Sequence, residues 1–258
     1  MSDTLSPADA GKFAAAMASV AEIRDGMVVG LGTGSTAAWM VRALARRVAE
    51  DGLTVTCVPT SVRTGELARA LGLTVVGLDD VERIDLTIDG ADEFDPHLRL
   101  IKGGGAAHLR EKLVAAASDR MIVITDPSKD VAHLGAFPLP IEIIPMGWKG
   151  TKARIDAVLA EADVETRETV LRRKDGQPVV TDEGNWIIDA HLGRIGFPED
   201  LAAALADIPG VVEHGLFIGL CDMVIIGHPD GRHETRTHGA TPVWGDVIME
   251  LAALLPTA

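Results

Sequence analysis

Apolar positions follow a helical rhythm in some stretches of the chain and form short unbroken runs in others. Phe13, Met17, Val20 and Ala21 stand at i, i+4, i+7 and i+8, the stripe of a single helix face. Ser6-Pro7 ahead of them, with Asp9 three residues after the serine, is a helix start: serine as cap, proline in the first turn. Met27 to Leu31 is apolar without polar alternation, as in a strand covered on both faces. Ala37, Val41, Leu44 and Val48 then mark a second helix. The same reading predicts strands at 53–58, 74–78, 84–89 and 121–125, with helices at 63–71 and 106–118. Strands alternating with helices predict a parallel sheet with helices on both faces.

Near residue 135 the pattern changes. Phe137-Pro138-Leu139-Pro140 breaks it, and a strand at 141–144, a helix at 150–161 and an alternating stretch at 164–170 follow. Asp182 to Asn185 reads as a turn between Val179-Val180 and Trp186 to Ile188. A helix at 198–206 and a strand pair at 211–217 complete an α+β segment of the split βαβ type. Met223 to Ile226 is again an apolar run and is expected to rejoin the first sheet. The fold class is therefore α/β: a parallel, Rossmann-like sheet with helices on both faces, assigned to 1–135 and 207–258, and an inserted smaller α+β, ferredoxin-like domain at 136–206. Residues 232–237 read as a polar tail and 243–255 as a terminal helix.

Composition narrows the functional classes. With 258 residues, 47% of them apolar, the chain has ample material for a core and is neither disordered nor fibrous. The net charge of −14 repels phosphate backbones, so nucleic-acid binding is not expected, and an anionic ligand needs a local pocket working against the global field. No apolar run approaches the roughly 20 residues of a membrane helix. The start, MSDTLSPADAGKF, has neither a basic beginning nor an apolar core, so no secretory signal is expected. Cys57 and Cys221 are the only thiols and lie far apart, which excludes a disulfide framework or a CxxC metal pair. A soluble cytoplasmic protein is the expectation.

Four segments carry chemistry. In Gly30-Leu31-Gly32-Thr33-Gly34-Ser35-Thr36 a strand hands over to a helix. Glycines there let a ligand approach the backbone, the first amides of the helix form an anion nest, and Thr33, Ser35 and Thr36 add hydroxyls suited to phosphate oxygens. No lysine follows at triphosphate-loop spacing, and Thr36-Ala37 stand where a dinucleotide site needs its third glycine. The competing reading is a capped strand-to-helix turn. Asp89-Gly90-Ala91-Asp92-Glu93 puts three carboxylates at a strand's C-terminal end, for acid/base work, hydroxyl binding or metal ligation, or simply as a solvated loop. His97 and His108 are too loosely spaced to complete a metal pattern.

Lys102-Gly103-Gly104-Gly105 is a flexible loop with a cation at its mouth. On the helix after it, Ala106, Leu109, Leu113, Ala116 and Ala117 share a face, and Glu111 points roughly 200° away, at about 100° per residue. Glu111 is therefore expected outside the core, facing water or a cleft. Lys129, in Asp126-Pro127-Ser128-Lys129, supplies another cation at a strand end. Together these segments describe a small polyhydroxylated phosphate ligand and an acid/base pair.

GLGTGSTA at 30–37, TSVRT at 60–64, DGADE at 89–93, LIKGGGAA at 100–107 and LREK at 109–112 resemble ribose-5-phosphate isomerases of the A type. FPLPIEIIP at 137–145, TDEGNWIID at 181–189 and IPGVVEHGLF at 208–217 look like the same family, so the resemblance runs to about Gly231. It implies interconversion of D-ribose 5-phosphate and D-ribulose 5-phosphate in the non-oxidative pentose phosphate pathway, by a homodimer with no metal or organic cofactor. By motif, Thr33, Gly34, Ser35 and Thr36 match residues at the sugar phosphate, and Lys12 a first-helix lysine that reaches it. Asp89, Gly90, Ala91 and Asp92, then Lys102, Gly103, Gly104 and Gly105, and Lys129 match substrate-binding positions. Glu111 matches the catalytic base, with Lys102, Asp89 and Asp92 also in catalytic places.

The residue chemistry agrees with that match. A single carboxylate of suitable pKa can take a proton from the carbon beside a carbonyl and return it to the next carbon. Lys102 is a cation for the developing oxyanion, and Asp89 and Asp92 can orient hydroxyls or assist ring opening. His108 stands where an apolar residue is more usual, one turn before Glu111, either as a tuner of the base or as a plain surface histidine. Two competing readings are a sugar-phosphate hydrolase or deaminase, which needs a histidine beside the carboxylate loop, and a sugar-phosphate sensor, which needs a DNA-binding segment ahead of residue 30.

Overall fold

The computed structural model describes residues 5–248. Ser6 caps α1 (Pro7–Val20), its Oγ accepting the Asp9 N–H at 3.1 Å. The helix ends at Val20, so Ala21, expected on its apolar stripe, is exposed. Then come β1 (Val28–Leu31), α2 (Ser35–Asp51), β2 (Thr56–Pro59), α3 (Val62–Ala70), β3 (Thr74–Val75) and β4 (Leu86–Asp89). Two short strands, β5 (Glu93–Phe94) and β6 (Leu100–Ile101), precede α4 (His108–Ala116), β7 (Met121–Thr125) and β8 (Leu139–Ile143). Next are α5 (Trp148–Glu161), β9 (Glu168–Leu171), β10 (Arg173–Lys174), β11 (Gln177–Pro178) and β12 (Trp186–His191). The described chain closes with α6 (Pro198–Ala206), β13 (Val211–His214), β14 (Leu216–Phe217), β15 (Met223–Gly227), β16 (Arg232–Thr237) and β17 (Val243–Asp246).

The chain divides into two compact units. The described parts of the first are 5–90, 110–129 and 220–248, and the second comprises 91–109 and 130–219. The second unit thus takes in residues 91–109 beyond the insertion assigned from sequence, and ends later than residue 206.

In the first unit an eight-stranded sheet has the order β17-β16-β15-β7-β4-β1-β2-β3. From β3 to β15 every pairing is parallel, with Val29 opposite Cys57 and Ile88 opposite Ile122, and β15 rejoins the sheet beside β7 as expected. Helices lie on both faces. Phe13 and Val20 of α1, Met40 and Leu44 of α2 and Ala68 of α3 pack with Leu31, Cys57 and Ile88 on one side. Val114 of α4 meets Val58 and Ile84 on the other. Contact between α1 and β15 depends on two glycines, because a Cβ on Gly227 would lie 1.9 Å from the Gly11 carbonyl oxygen.

Two sequence expectations fail here. Residues 232–237 form β16, antiparallel to β15, and Val243–Asp246 form β17 at the edge of the sheet rather than the start of a helix. The open edge of β15 offers a ladder of unpaired backbone groups, a tertiary partner that side-chain periodicity cannot report. The rest of the expected terminal helix, from residue 249 onward, lies outside the described residues.

The second unit holds the order β8-α5-β9-β12-α6-β13, with the antiparallel sheet β13-β8-β12-β9, the ferredoxin-like arrangement expected. Ile141, Ile143, Ile155, Leu159, Leu171, Ile188, Leu201 and Leu205 fill its core. Between β9 and β12 stands a hairpin of β10 and β11, turned at Asp175 and Gly176, both with positive φ. The strand expected at Val179-Val180 is absent, since that pair follows the hairpin as loop.

Candidate active site

In the first unit the loop from β1 to α2 fits tightly against the end of β4. Gly32 has no room for a side chain: a Cβ would lie 2.2 Å from Asp89 Oδ1. Gly34, at φ +122°, caps α2 in a backbone conformation that favours glycine. Asp89 is fully buried, and its Oδ1 accepts the N–H of Thr33 at 3.0 Å and of Gly90 at 2.7 Å. The Thr33 Oγ1 sits 2.8 Å from the hydroxyls of Thr60 and Ser61 and 3.3 Å from that of Thr64. Thr64 Oγ1 in turn donates to the Gly32 carbonyl at 3.1 Å, and Ser61 caps α3. Gly34 and Ser35 are exposed and Thr36 is half-buried.

Thr60, Ser61 and Thr64 were not among the site residues expected from sequence. The signal that could have found them is TSVRT at 60–64, four hydroxyl and cationic side chains following β2. Arg42 and Arg63 were likewise not expected as site residues; they line a small cleft of about 130 Å³ with Thr33, Gly34 and Thr64. These guanidiniums give the nest a local positive charge in a chain of net charge −14.

Glu111 corrects the expectation of a residue outside the core. It is only 4% exposed, whereas Leu113, assigned to the buried face, is 51% exposed. The buried positions of α4 are His108, Glu111, Val114 and Ala115. Ala106 adopts φ +61° and donates its N–H to the Gly103 carbonyl at 3.0 Å, so the helix starts at His108 and Ala106 takes no part in it. Lys129 ends a 3₁₀ turn after β7 and is half-buried. Lys12 lies on α1, 3.7 Å from Asp9.

In the second unit the Lys102–Gly105 loop is held from several sides. Lys102, 2% exposed, donates its N–H to the Gly215 carbonyl at 2.9 Å, and its Nζ lies 5.4 Å from the centre of the Phe217 ring. Gly103 has φ +104°, and a Cβ there would sit 2.7 Å from His108 Nδ1. Arg172, paired with Asp189 at 2.5 Å, donates Nη1 to the carbonyl of Gly103 at 2.9 Å. Asp92 Oδ2 accepts the Gly104 N–H at 2.7 Å, which joins the carboxylate loop to the glycine loop; Gly104 and Gly105 are themselves exposed and Ala91 is half-buried.

Not every carboxylate of the cluster is available for chemistry. Glu93 is buried and accepts the N–H groups of Gly135 and Phe137, a structural role. Asp95 accepts the N–H of His97 and of Arg99 and pairs with the Arg99 guanidinium. His108 is fully buried rather than on the surface, with Nε2 3.7 Å from Glu142 Oε2. Among the described residues no group of three or more His, Cys, Asp or Glu side chains is placed to hold a metal ion. No helix among them is long and apolar enough to cross a membrane.

A model of the family described as ribose 5-phosphate isomerase A (phosphoriboisomerase A) matches residues 56–231. The chain belongs to the ribose 5-phosphate isomerase A family. A relative named ribose-5-phosphate isomerase A, from Cereibacter sphaeroides, is 62% identical over 232 residues, covering 90% of this chain and 88% of the relative. One of the same name from Dinoroseobacter shibae is 59% identical over 236 residues, 92% of this chain and 91% of its own. Among solved structures, ribose 5-phosphate isomerase A from Methanocaldococcus jannaschii superposes with a TM-score of 0.81 at 39% identity, covering 90% of this chain and all of that one. A D-ribose-5-phosphate isomerase in complex with phospho-erythronic acid gives 0.83 at 37% identity, covering 89% and 99%. The resemblance drawn from the motifs is thereby borne out, as is the expectation of an isomerase.

Proposed function

We propose that this protein interconverts D-ribose 5-phosphate and D-ribulose 5-phosphate through an enediolate, with Glu111 moving the proton. The observation that carries the reading is the burial of Glu111 on the helix that follows the Lys102–Gly105 loop, in a chain that shares its family's motifs in order. A carboxylate out of water is a stronger base than a solvated one, which suits removal of a carbon-bound proton near neutral pH.

In the open-chain aldose, Glu111 takes the proton from C2. The electron pair forms the C1–C2 double bond of the enediolate, and charge gathers on the carbonyl oxygen. Lys102 supplies the cation for that oxygen. The O2 hydroxyl proton passes to O1 and the same carboxyl gives its proton to C1, leaving the carbonyl at C2, so the base is regenerated without any other reactant. Asp89 and Asp92, each oriented by backbone N–H groups, hold sugar hydroxyls and assist opening of the furanose ring. The backbone of residues 33–36 and the hydroxyls of Ser35 and Thr36, with Gly90, Ala91, Gly103, Gly104, Gly105 and Lys129, bind the rest of the sugar and its phosphate, with Lys12 as a further phosphate contact.

The reading extends to a cytoplasmic homodimer in the non-oxidative pentose phosphate pathway, working without metal or organic cofactor. The test is conversion of ribose 5-phosphate in chelator-treated buffer, comparing the parent protein with Glu111→Gln. A loss of kcat of about a thousandfold with KM kept within threefold is expected. Equal turnover by both proteins would remove Glu111 from its role, and an inactive parent would remove the reaction.

A further inference from the structure

The second unit contains a buried pair of titratable side chains that the mechanism above leaves unused. Glu142 lies on β8 and is fully buried, as is His108 at the start of α4. Glu142 Oε1 accepts the Thr181 hydroxyl at 2.8 Å and the Asn185 amide at 3.0 Å, which fixes the carboxylate. Its other oxygen faces His108 Nε2 at 3.7 Å. On its far side the imidazole closes against the active loop, because Gly103 passes so close to Nδ1 that a Cβ there would lie 2.7 Å away. Along α4, His108 stands three residues before Glu111 on the same buried face, a spacing at which helical side chains interact.

We propose that His108, with Glu142 as its counter-group, is a positioning residue that seats the Lys102–Gly105 loop and sets the pH range over which Glu111 works. This rests on Glu111 as the proton carrier. Burial pushes the Glu142 carboxyl above its usual range, opposed by the hydrogen bonds from Asn185 and Thr181. Other charged groups facing the pair are Glu213, against which His214 lies at 3.8 Å, and Glu183 in the turn before β12. Arg172 reaches the Gly103 carbonyl from beyond β9, Lys102 belongs to the same loop, and Glu111 shares the helix.

The test is the pH dependence of kcat/KM for ribose 5-phosphate in the full-length parent, His108→Leu, His108→Gln and Glu142→Gln. Loss of the imidazole, or of the carboxyl that faces it, should move the acid limb by about half a unit or more in all three variants. His108→Gln keeps a polar side chain facing Glu142 but cannot titrate. It should therefore retain activity at its optimum within about threefold while showing the same shift, which a merely structural histidine would not. It also serves if the leucine variant folds poorly. Profiles that superimpose on the parent's would overturn the proposal while leaving the isomerase reading intact. A parent that does not turn over ribose 5-phosphate would instead overturn that reading.

Discussion

The amide N–H of Thr33 donates to Oδ1 of Asp89 at 3.0 Å, across 56 residues of sequence. The bond ties the phosphate-type loop to the carboxylate at the end of β4, and it leaves the Thr33 hydroxyl to Thr60, Ser61 and Thr64. Thr33→Val keeps the amide and removes only the hydroxyl. It should cost about 1–2 kcal/mol of stability, the price of leaving buried hydroxyls short of a partner. Inhibition by inorganic phosphate should stay within twofold of the parent. A tenfold weaker inhibition would show that this hydroxyl reaches the ligand.

Glu111→Asp retains the charge but withdraws the carboxylate by one methylene. A displacement of about 1 Å at a proton-transferring group can lower turnover about a hundredfold. Steady-state assays should show that loss in kcat with little change in KM. Parent-like turnover would mean that the reach of the side chain is unimportant.

Gly103→Ala combines a left-handed backbone with a Cβ 2.7 Å from His108 Nδ1. The strain is expected to cost about 1–3 kcal/mol, seen as a lower melting temperature, together with a raised KM. Gly26→Ala is the control: φ is +81° there too, but nothing lies within 4 Å, so its cost should stay near 1 kcal/mol with kinetics unchanged.

Glu142 gives a signed pH prediction. Burial raises its pKa in the folded state, so its contribution to stability is present below the ordinary carboxyl value of 4.5 and is lost as pH rises through the higher folded value. Glu142→Gln removes that loss. Urea denaturation should find the variant at least as stable as the parent at pH 8, with the difference shrinking towards pH 4. A variant much less stable at pH 8 would contradict the shift.

Cys57 is fully buried on β2, and burial pushes its thiol up to about 12. It should resist alkylation in the native protein at pH 8, while the partly exposed Cys221 reacts. Mass spectrometry should find one label per native chain and two after denaturation.

Much of the architecture was legible in the residue pattern because its causes are local. Ser6-Pro7-Ala8-Asp9 caps a helix by its own hydroxyl, and unbroken apolar runs such as Met121–Thr125 have no polar face to show to water. Glycine motifs at 30–36 and 102–105 were legible for the same reason, since a positive φ or a close backbone approach leaves glycine as the residue that fits. Tertiary packing decided the rest. Ala106 left the helical conformation with its amide turned back to Gly103, and α4 buries the face of Glu111 and Val114, the latter against Val58 and Ile84, leaving Leu113 exposed. His108 is buried because Glu142, 34 positions away, lies against it, and β16 and β17 exist because β15 offers an open edge. Each of these outcomes depends on which distant group arrives as a neighbour, and periodicity along a single segment carries no record of that.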